Sequence, residues 1–172
     1  MKLYAIYIGG STGTSLIELH DIRFVIAPSI EDTYDELRRD WWGTPDSLHI
    51  DCWGELTSAD GHNITLKDRP QEGFDQKLYF VNLGGYDPKE FAELHKNVFV
   101  VAPTESKAKV KALKTILDWQ AHHEDYTYDV EQTVNISALA AAQSIYLHLE
   151  PAENPAPFAF SCKYRPLGKK AS

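Results

Sequence analysis

The chain is poor in the residues that usually announce a function. Its 172 residues include two cysteines, Cys52 and Cys162, and one methionine, and no apolar run approaches the roughly 20 residues that cross a bilayer as a helix. Two cysteines so far apart make neither a metal-type pair nor a disulfide framework, so a reducing compartment, the cytoplasm, is expected. The opening stretch from Met1 to Gly10 is apolar but short, lacks a convincing cleavage site and recurs inside the chain, so it reads as a strand rather than a signal. No nucleophile elbow, phosphate loop or zinc spacing occurs, and neither a metal nor a cofactor is expected. Basic residues are also scarce, 17 Lys and Arg against 25 Asp and Glu. A formal charge of −8 argues against non-specific nucleic-acid binding, which depends on neutralising phosphates. Lys107, Lys109, Lys111 and Lys114 form the one basic stretch, and a solvated helix face is its simpler explanation.

What the chain does contain is a repeated pattern. Lys2-Leu3-Tyr4, Gly9-Gly10, Glu18-Leu19-His20 and Phe24-Val25 recur 75 positions later as Lys77-Leu78-Tyr79, Gly84-Gly85, Glu93-Leu94-His95 and Phe99-Val100. Laid without a gap, residues 2–29 and 77–104 share 12 identities in 28 positions, where unrelated sequences share roughly two, which identifies an internal repeat. The halves differ in charge: residues 1–75 carry 6 basic and 14 acidic residues, whereas residues 76–172 carry 11 of each.

Each half opens with a strand apolar on both faces, as expected of a central strand, and ends it at paired glycines. A polar loop leads to Glu-Leu-His and a second strand closed by Ala-Pro, since proline cannot donate to a ladder. Ser29 and Thr104 then stand as N-caps, with Asp32 completing a box-like cap. Ile30, Tyr34, Leu37 and Trp41 make one apolar stripe, and the second helix is expected to run from the region of Thr104 to about Ala121. Residues 48–53 and 63–66, joined through Ala59-Asp60-Gly61, read as a hairpin. Its second-half counterparts are residues 126–136 and, after an alanine-rich insertion at residues 137–142, a strand over residues 144–149, the alternative being a short extra helix that runs on into Ile145-Tyr146. The expected architecture is α+β: two tandem ββαββ repeats, residues 1–70 and 76–150, packed as an intramolecular pseudo-two-fold dimer. A Pro-rich extended tail, residues 151–172, packs on the body through Phe158, Phe160 and Tyr164.

The candidate site residues are Glu18, His20 and Asp21, echoed by Glu93 and His95, together with His49 and Asp51. On an extended segment Glu and His two apart share a face, which suits acid–base work or a ligand role. The plainer explanation has them capping the second strand against the Gly-Gly loop. His49 and Asp51 share a face in the same way, Asp129 is the expected counterpart of Asp51, and Tyr126 to Tyr128 occupy the region of the missing second histidine. His122-His123 suits the C-terminal end of a helix, and Trp41, Trp42, Trp53 and Trp119 suit packing.

Gly9-Gly10, Glu18-Leu19-His20-Asp21, Phe24-Val25, the acidic helix to Trp41-Trp42 and Leu48-His49-Ile50-Asp51 together resemble the bacterial DUF1543 family of unknown function. The resemblance covers each repeat rather than the tail, and the second copy departs from it at Lys96, where the first has Asp21. It implies a bacterial or phage-borne soluble protein with this α+β unit, and no reaction. Three functions stay open. The first is a non-catalytic module binding a protein or small-molecule ligand in the groove between the repeats. The second is a hydrolase-like enzyme with an asymmetric, metal-dependent or metal-free His/carboxylate site in the first repeat. The third is a structural protomer of a homo-oligomer. No membrane partner is expected.

Overall fold

A computed structural model describes residues 1–86, 89–116 and 129–168. The fold is α+β, built from antiparallel sheets. In chain order the elements are β1 (Lys2–Gly10), β2 (Leu19–Ala27), α1 (Tyr34–Asp40), β3 (His49–Glu55), β4 (Ser58–Ala59), β5 (His62–Lys67), β6 (Lys77–Tyr86), β7 (Glu93–Ala102), α2 (Glu105–Leu113), β8 (Asp129–Asn135), α3 (Ile136–Ala141), β9 (Tyr146–Pro151) and β10 (Ser161–Pro166). The chain divides into two compact units, Met1–Thr57 joined by the segment from Ala156 onward, and Ser58–Pro155.

In the first unit the sheet order is β10-β3-β1-β2. The apolar β1 is an interior strand: Leu3, Tyr4, Ala5, Ile6 and Ile8 are all buried. Its even positions, with Val25, Ala27, Ile50 and Leu48, pack against Ile30, Leu37 and Trp41 of the helical segment. That segment starts as the spacing of Ser29 and Asp32 predicts. The Asp32 carboxylate accepts from Ser29 N–H and O–H at 3.1 and 2.7 Å, and Asp32 N–H returns to Ser29 Oγ at 3.4 Å. A 3-10 turn, Glu31–Thr33, runs directly into α1.

In the second unit β6 lies between β7 and β8. Tyr79, Val81, Leu83, Val100 and Ala102 repeat the buried positions of the first unit and pack on Ala108 and Ala112 of α2. Thr104 caps α2 by accepting from Lys107 N–H at 3.3 Å. The registers also repeat, with Lys2 opposite Ala27 and Lys77 opposite Ala102, and Gly9 opposite His20 and Gly84 opposite His95. Lys109 pairs with Glu105 at 2.7 Å and Lys111 with Asp60, so part of the basic stretch is internally matched.

Three expectations change. Residues 48–53 and 63–66 do not form a hairpin with each other, because the free edge of β3 is taken by β10 from the tail. The Asp60-Gly61 turn, with φ of 49° and 77°, instead joins β4 to β5, and β5 pairs along its other edge with β9. The cysteines are also joined, since the β3–β10 pairing sets Cys52 opposite Cys162 with Cα atoms 4.1 Å apart, and they form a disulfide. Spacing along the chain could not show this, because a tail strand closes the 110-residue separation. Finally, the alanine-rich stretch resolves into a short helix, α3, that stops before β9 rather than running into it. Trp119, His122, His123 and Tyr126 to Tyr128 lie outside the described residues. Among the described residues no helix is long and apolar enough to cross a membrane.

The disulfide sets the first expected outcome. Protein unfolded without reductant should show no thiol reactive to a chromogenic disulfide reagent and two after reduction. Cys52→Ser with Cys162→Ser should lower unfolding free energy by about 2–4 kcal/mol in urea. Two reactive thiols before reduction would contradict the pairing.

Candidate functional site

Three neighbouring strands place one residue each in a single row across the sheet. Gly9 of β1 lies opposite His20 of β2 on one side and opposite His49 of β3 on the other. With strands about 4.8 Å apart, the two histidine backbones are separated by roughly 10 Å, and only side chains reaching inward can meet. They can do so because the middle residue has none. A Cβ on Gly9 would come within 2.6 Å of His49 Nε2, 2.8 Å of Asp51 Oδ2 and 3.1 Å of His20 Cδ2. The register slips between Tyr7 and Ile8, so that Tyr7 faces Cys52 and Ile8 faces Ile50, leaving Asp51 as the extra residue of a β-bulge. The bulge sits beside the histidine row, and Asp51 reaches it.

Glu18, on the loop just before β2, closes the group. Glu18 Oε1 is 2.9 Å from His49 Nε2 and Asp51 Oδ1 is 3.3 Å from it. His20 Nε2 lies 3.3 Å from Glu18 Oε2 and 3.5 Å from Asp51 Oδ2. The pairs Glu18/His20 and His49/Asp51, separate in sequence, are therefore one cluster. His49 is the buried member, 3% exposed, and its Nδ1 donates to the Ser47 carbonyl at 2.9 Å, which sets the ring's orientation and places Nε2 beside the carboxylates. Distance would pair Nε2 with Glu18 and Asp51, but direction does not: neither oxygen lies where a ring N–H could donate to it, and His49 Nε2 and Asp51 Oδ2 are buried without a hydrogen-bond partner. The Tyr164 ring packs on the His49 ring with centroids 4.5 Å apart, and Tyr7 stacks on His20 at 5.3 Å. Burial, reinforced by the Asp51 and Asp21 carboxylates, raises the Tyr7 phenol above its ordinary pKa. The cluster opens into a cleft of about 400 Å³ lined by Ser11, Leu16, Glu18, Ser47, His49 and Tyr164 among others.

Asp21 does not join this group. As the next residue but one from Leu19 it points away from His20, pairs with Arg23 and accepts from Ile22 N–H at 2.7 Å. Glu93 and His95 come together with a residue that sequence reasoning missed, Glu131: His95 Nδ1 is 2.9 Å from Glu131 Oε2, and His95 Nε2 is 3.9 Å from Glu93 Oε2. Their ligand atoms lie within 4.8 Å of one another and all three residues are exposed, so they form a second group able to meet a cation. The register corrects one equivalence. Gly84 faces Asp129 as Gly9 faces His49, and the bulge between Asn82 and Leu83 leaves Glu131 extra. Asp129 is thus the counterpart of His49, and Glu131 that of Asp51. An offset taken from the first strands does not carry across the different helix and loop lengths that follow. Tyr164 was missed because it packs on a histidine distant in sequence, and Ser47 because its part is played by a backbone carbonyl that residue type does not mark, whereas Gly9 was visible as half of a Gly-Gly pair without its purpose.

An α+β protein with a histidine–carboxylate cluster over a glycine in an antiparallel sheet is the class that fold and site define. The family described as Domain of Unknown Function (DUF1543) matches residues 15–66, a span that holds Glu18, His20, His49 and Asp51. The crystal structure of a protein Il1583 from Idiomarina loihiensis is similar along the whole chain, with a TM-score of 0.71 and 30% identity over 98% of this chain and 99% of that one. This chain belongs to the DUF1543 family. No curated protein matches it.

Gly9→Ala should leave the fold intact but cost about 1–3 kcal/mol, because the added methyl must displace a buried imidazole and a carboxylate. In a histidine-selective proton–carbon correlation spectrum the His20 and His49 ring signals should move while those of His62 and His148 stay. Unchanged His49 signals would show that the glycine does not floor the cluster.

Proposed function

We propose that this protein is a hydrolase-like enzyme whose single working site lies in the first unit, where a small polar molecule enters the cleft and the histidine–carboxylate cluster activates a water against it. One observation carries this reading: a buried histidine, oriented through Nδ1 by a backbone carbonyl, presents Nε2 to two carboxylates at the wall of an open cleft. Such an arrangement is costly to keep unless it works, and imidazole–carboxylate sets are how proteins move protons near neutral pH. The cleft volume falls in the range of small-molecule sites. Its wall combines serine hydroxyls with the exposed Leu16 and Ile17, so polar orientation and apolar cover are both at hand.

Asymmetry between the halves supports the same reading. The identities 75 residues apart and the repeated registers favour an internal duplication, and a duplicated unit can keep the site in one copy while the other serves as scaffold. The position of His49 is an aspartate in the second half, and the group there is exposed on all members.

A thermal-shift screen of phosphate esters, carboxylic esters and amides, followed by product detection for each compound that stabilises the protein, tests the proposal. Stabilisation should vanish in His49→Ala and persist in His95→Ala. Turnover should fall about 100-fold or more in His49→Ala, the usual contribution of a group that moves a proton or activates water. Equal stabilisation and turnover in His49→Ala and the unsubstituted protein would refute it.

A further inference from the structure

We propose that the cleft of the first unit takes an organic cation, a small molecule that sets an amidinium, guanidinium or ammonium group against Glu18 and an apolar body against the rim. The proposal rests on the reading of that cleft as a small-molecule site and names the class of molecule that enters it.

Fixed charge comes first. Among the described residues that line the cleft, Glu18 carries a carboxylate and none is Lys or Arg. Asp51 adds a second carboxylate beside His49. The arginines of this unit are engaged elsewhere: Arg23 pairs with Asp21, Arg38 with Asp35 and the Leu167 carbonyl, and Arg165 with Glu31 and the Tyr34 hydroxyl. The imidazoles of His20 and His49 are each faced by both carboxylates, so any proton they hold is matched before a ligand arrives. An anion entering the cleft would meet carboxylates with no fixed counter-charge, whereas a cation meets complementary charge.

Hydrogen-bonding capacity points the same way. The Ser47 hydroxyl donates to the Thr44 carbonyl at 2.7 Å and the Ser15 hydroxyl to the Thr12 carbonyl at 3.2 Å. The Ser11 N–H likewise donates to Ser47 Oγ at 2.9 Å. These donors, which could otherwise cradle an oxyanion, are engaged within the wall. Acceptors are left over. Asp51 Oδ2 is buried without a hydrogen-bond partner, and an ionised carboxylate can only accept. The His49 side chain, 4% exposed and part of the cleft wall, also leaves Nε2 unpartnered. Buried polar atoms in this state are costly unless a bound molecule or water meets them. Glu18 is the accessible member at 47% exposure, and each of its oxygens faces a single imidazole, so both keep capacity for a further donor.

The walls suit the rest of such a molecule. Tyr164 packs on His49 yet is 67% exposed, and its ring surface at the cleft can meet a cation through the aromatic face. Leu16 and Ile17, both exposed, offer apolar contact at the rim.

Benzamidine, benzamide and benzoate share one ring and nearly one shape and differ in charge. Calorimetric titration of each into the full chain at low ionic strength therefore isolates the charge. Benzamidine should bind about 10-fold or more tightly than benzamide, and benzoate should give no binding heat. Its addition should move the His49 ring signals and leave those of His148 in place. Glu18→Gln, with its fold checked by circular dichroism, should weaken benzamidine binding about 10-fold and leave benzamide unchanged. Glu93→Gln, in the second unit, should bind as the unsubstituted protein does. Equal affinity for benzamidine and benzamide, a preference for benzoate, no benzamidine binding, or unchanged affinity in folded Glu18→Gln would overturn the proposal. Charge-blind binding that still depends on His49 would do so while leaving the cleft as a substrate site. Glu18-dependent benzamidine binding without turnover of any ester or amide would support the cation site and count against the hydrolase.

Discussion

A missing side chain holds the site together. Gly9 stands between two histidines in a row that spans three strands, and the space above its Cα is where His20, His49 and Asp51 meet. Everything nearby depends on keeping that space at a fixed depth. β1 must be interior, so that it has a partner on each side, which in turn requires the two-sided apolar pattern of residues 3–8. The bulge that follows must leave Asp51 extra, or the aspartate would not reach the histidines. The backbone carbonyl of Ser47 must precede β3 closely enough to orient His49. Local geometry, core burial and site chemistry thus rest on the same few strand residues.

The tail is part of this site rather than an appendage. β10 completes the edge of β3, the Cys52–Cys162 bond crosses the pair, and Leu167 is buried while its backbone exchanges hydrogen bonds with Leu48 and Arg38. Two residues after Cys162, Tyr164 lays its ring on His49. The strand that seals an otherwise exposed edge therefore also covers the buried imidazole.

Much of the local structure is legible in the sequence because it is encoded locally. Two-sided burial marks β1 and β6, the Ser29–Asp32 and Thr104 caps mark helix starts, and Asp60-Gly61 marks a tight hairpin turn. The site was visible only as two separate pairs, Glu18/His20 and His49/Asp51. Nothing within either pair says that β1 lies between them, since strand order is a property of long-range pairing. The same limit hid the disulfide, the partners of β5 and the role of Tyr164, each of which joins segments that are far apart in sequence. It also misaligned Asp129, whose true counterpart, His49, emerges only from the strand registers.

The central claim is that Glu18, His20, His49 and Asp51 form one cluster floored by Gly9. It is tested most directly by a high-resolution crystal structure of the protein. The account predicts His49 Nδ1 on the Ser47 carbonyl, with the Glu18 and Asp51 carboxylates beside Nε2 at 2.9 and 3.3 Å. A His49 ring turned toward solvent, or carboxylates of Glu18 and Asp51 facing away from it, would contradict it.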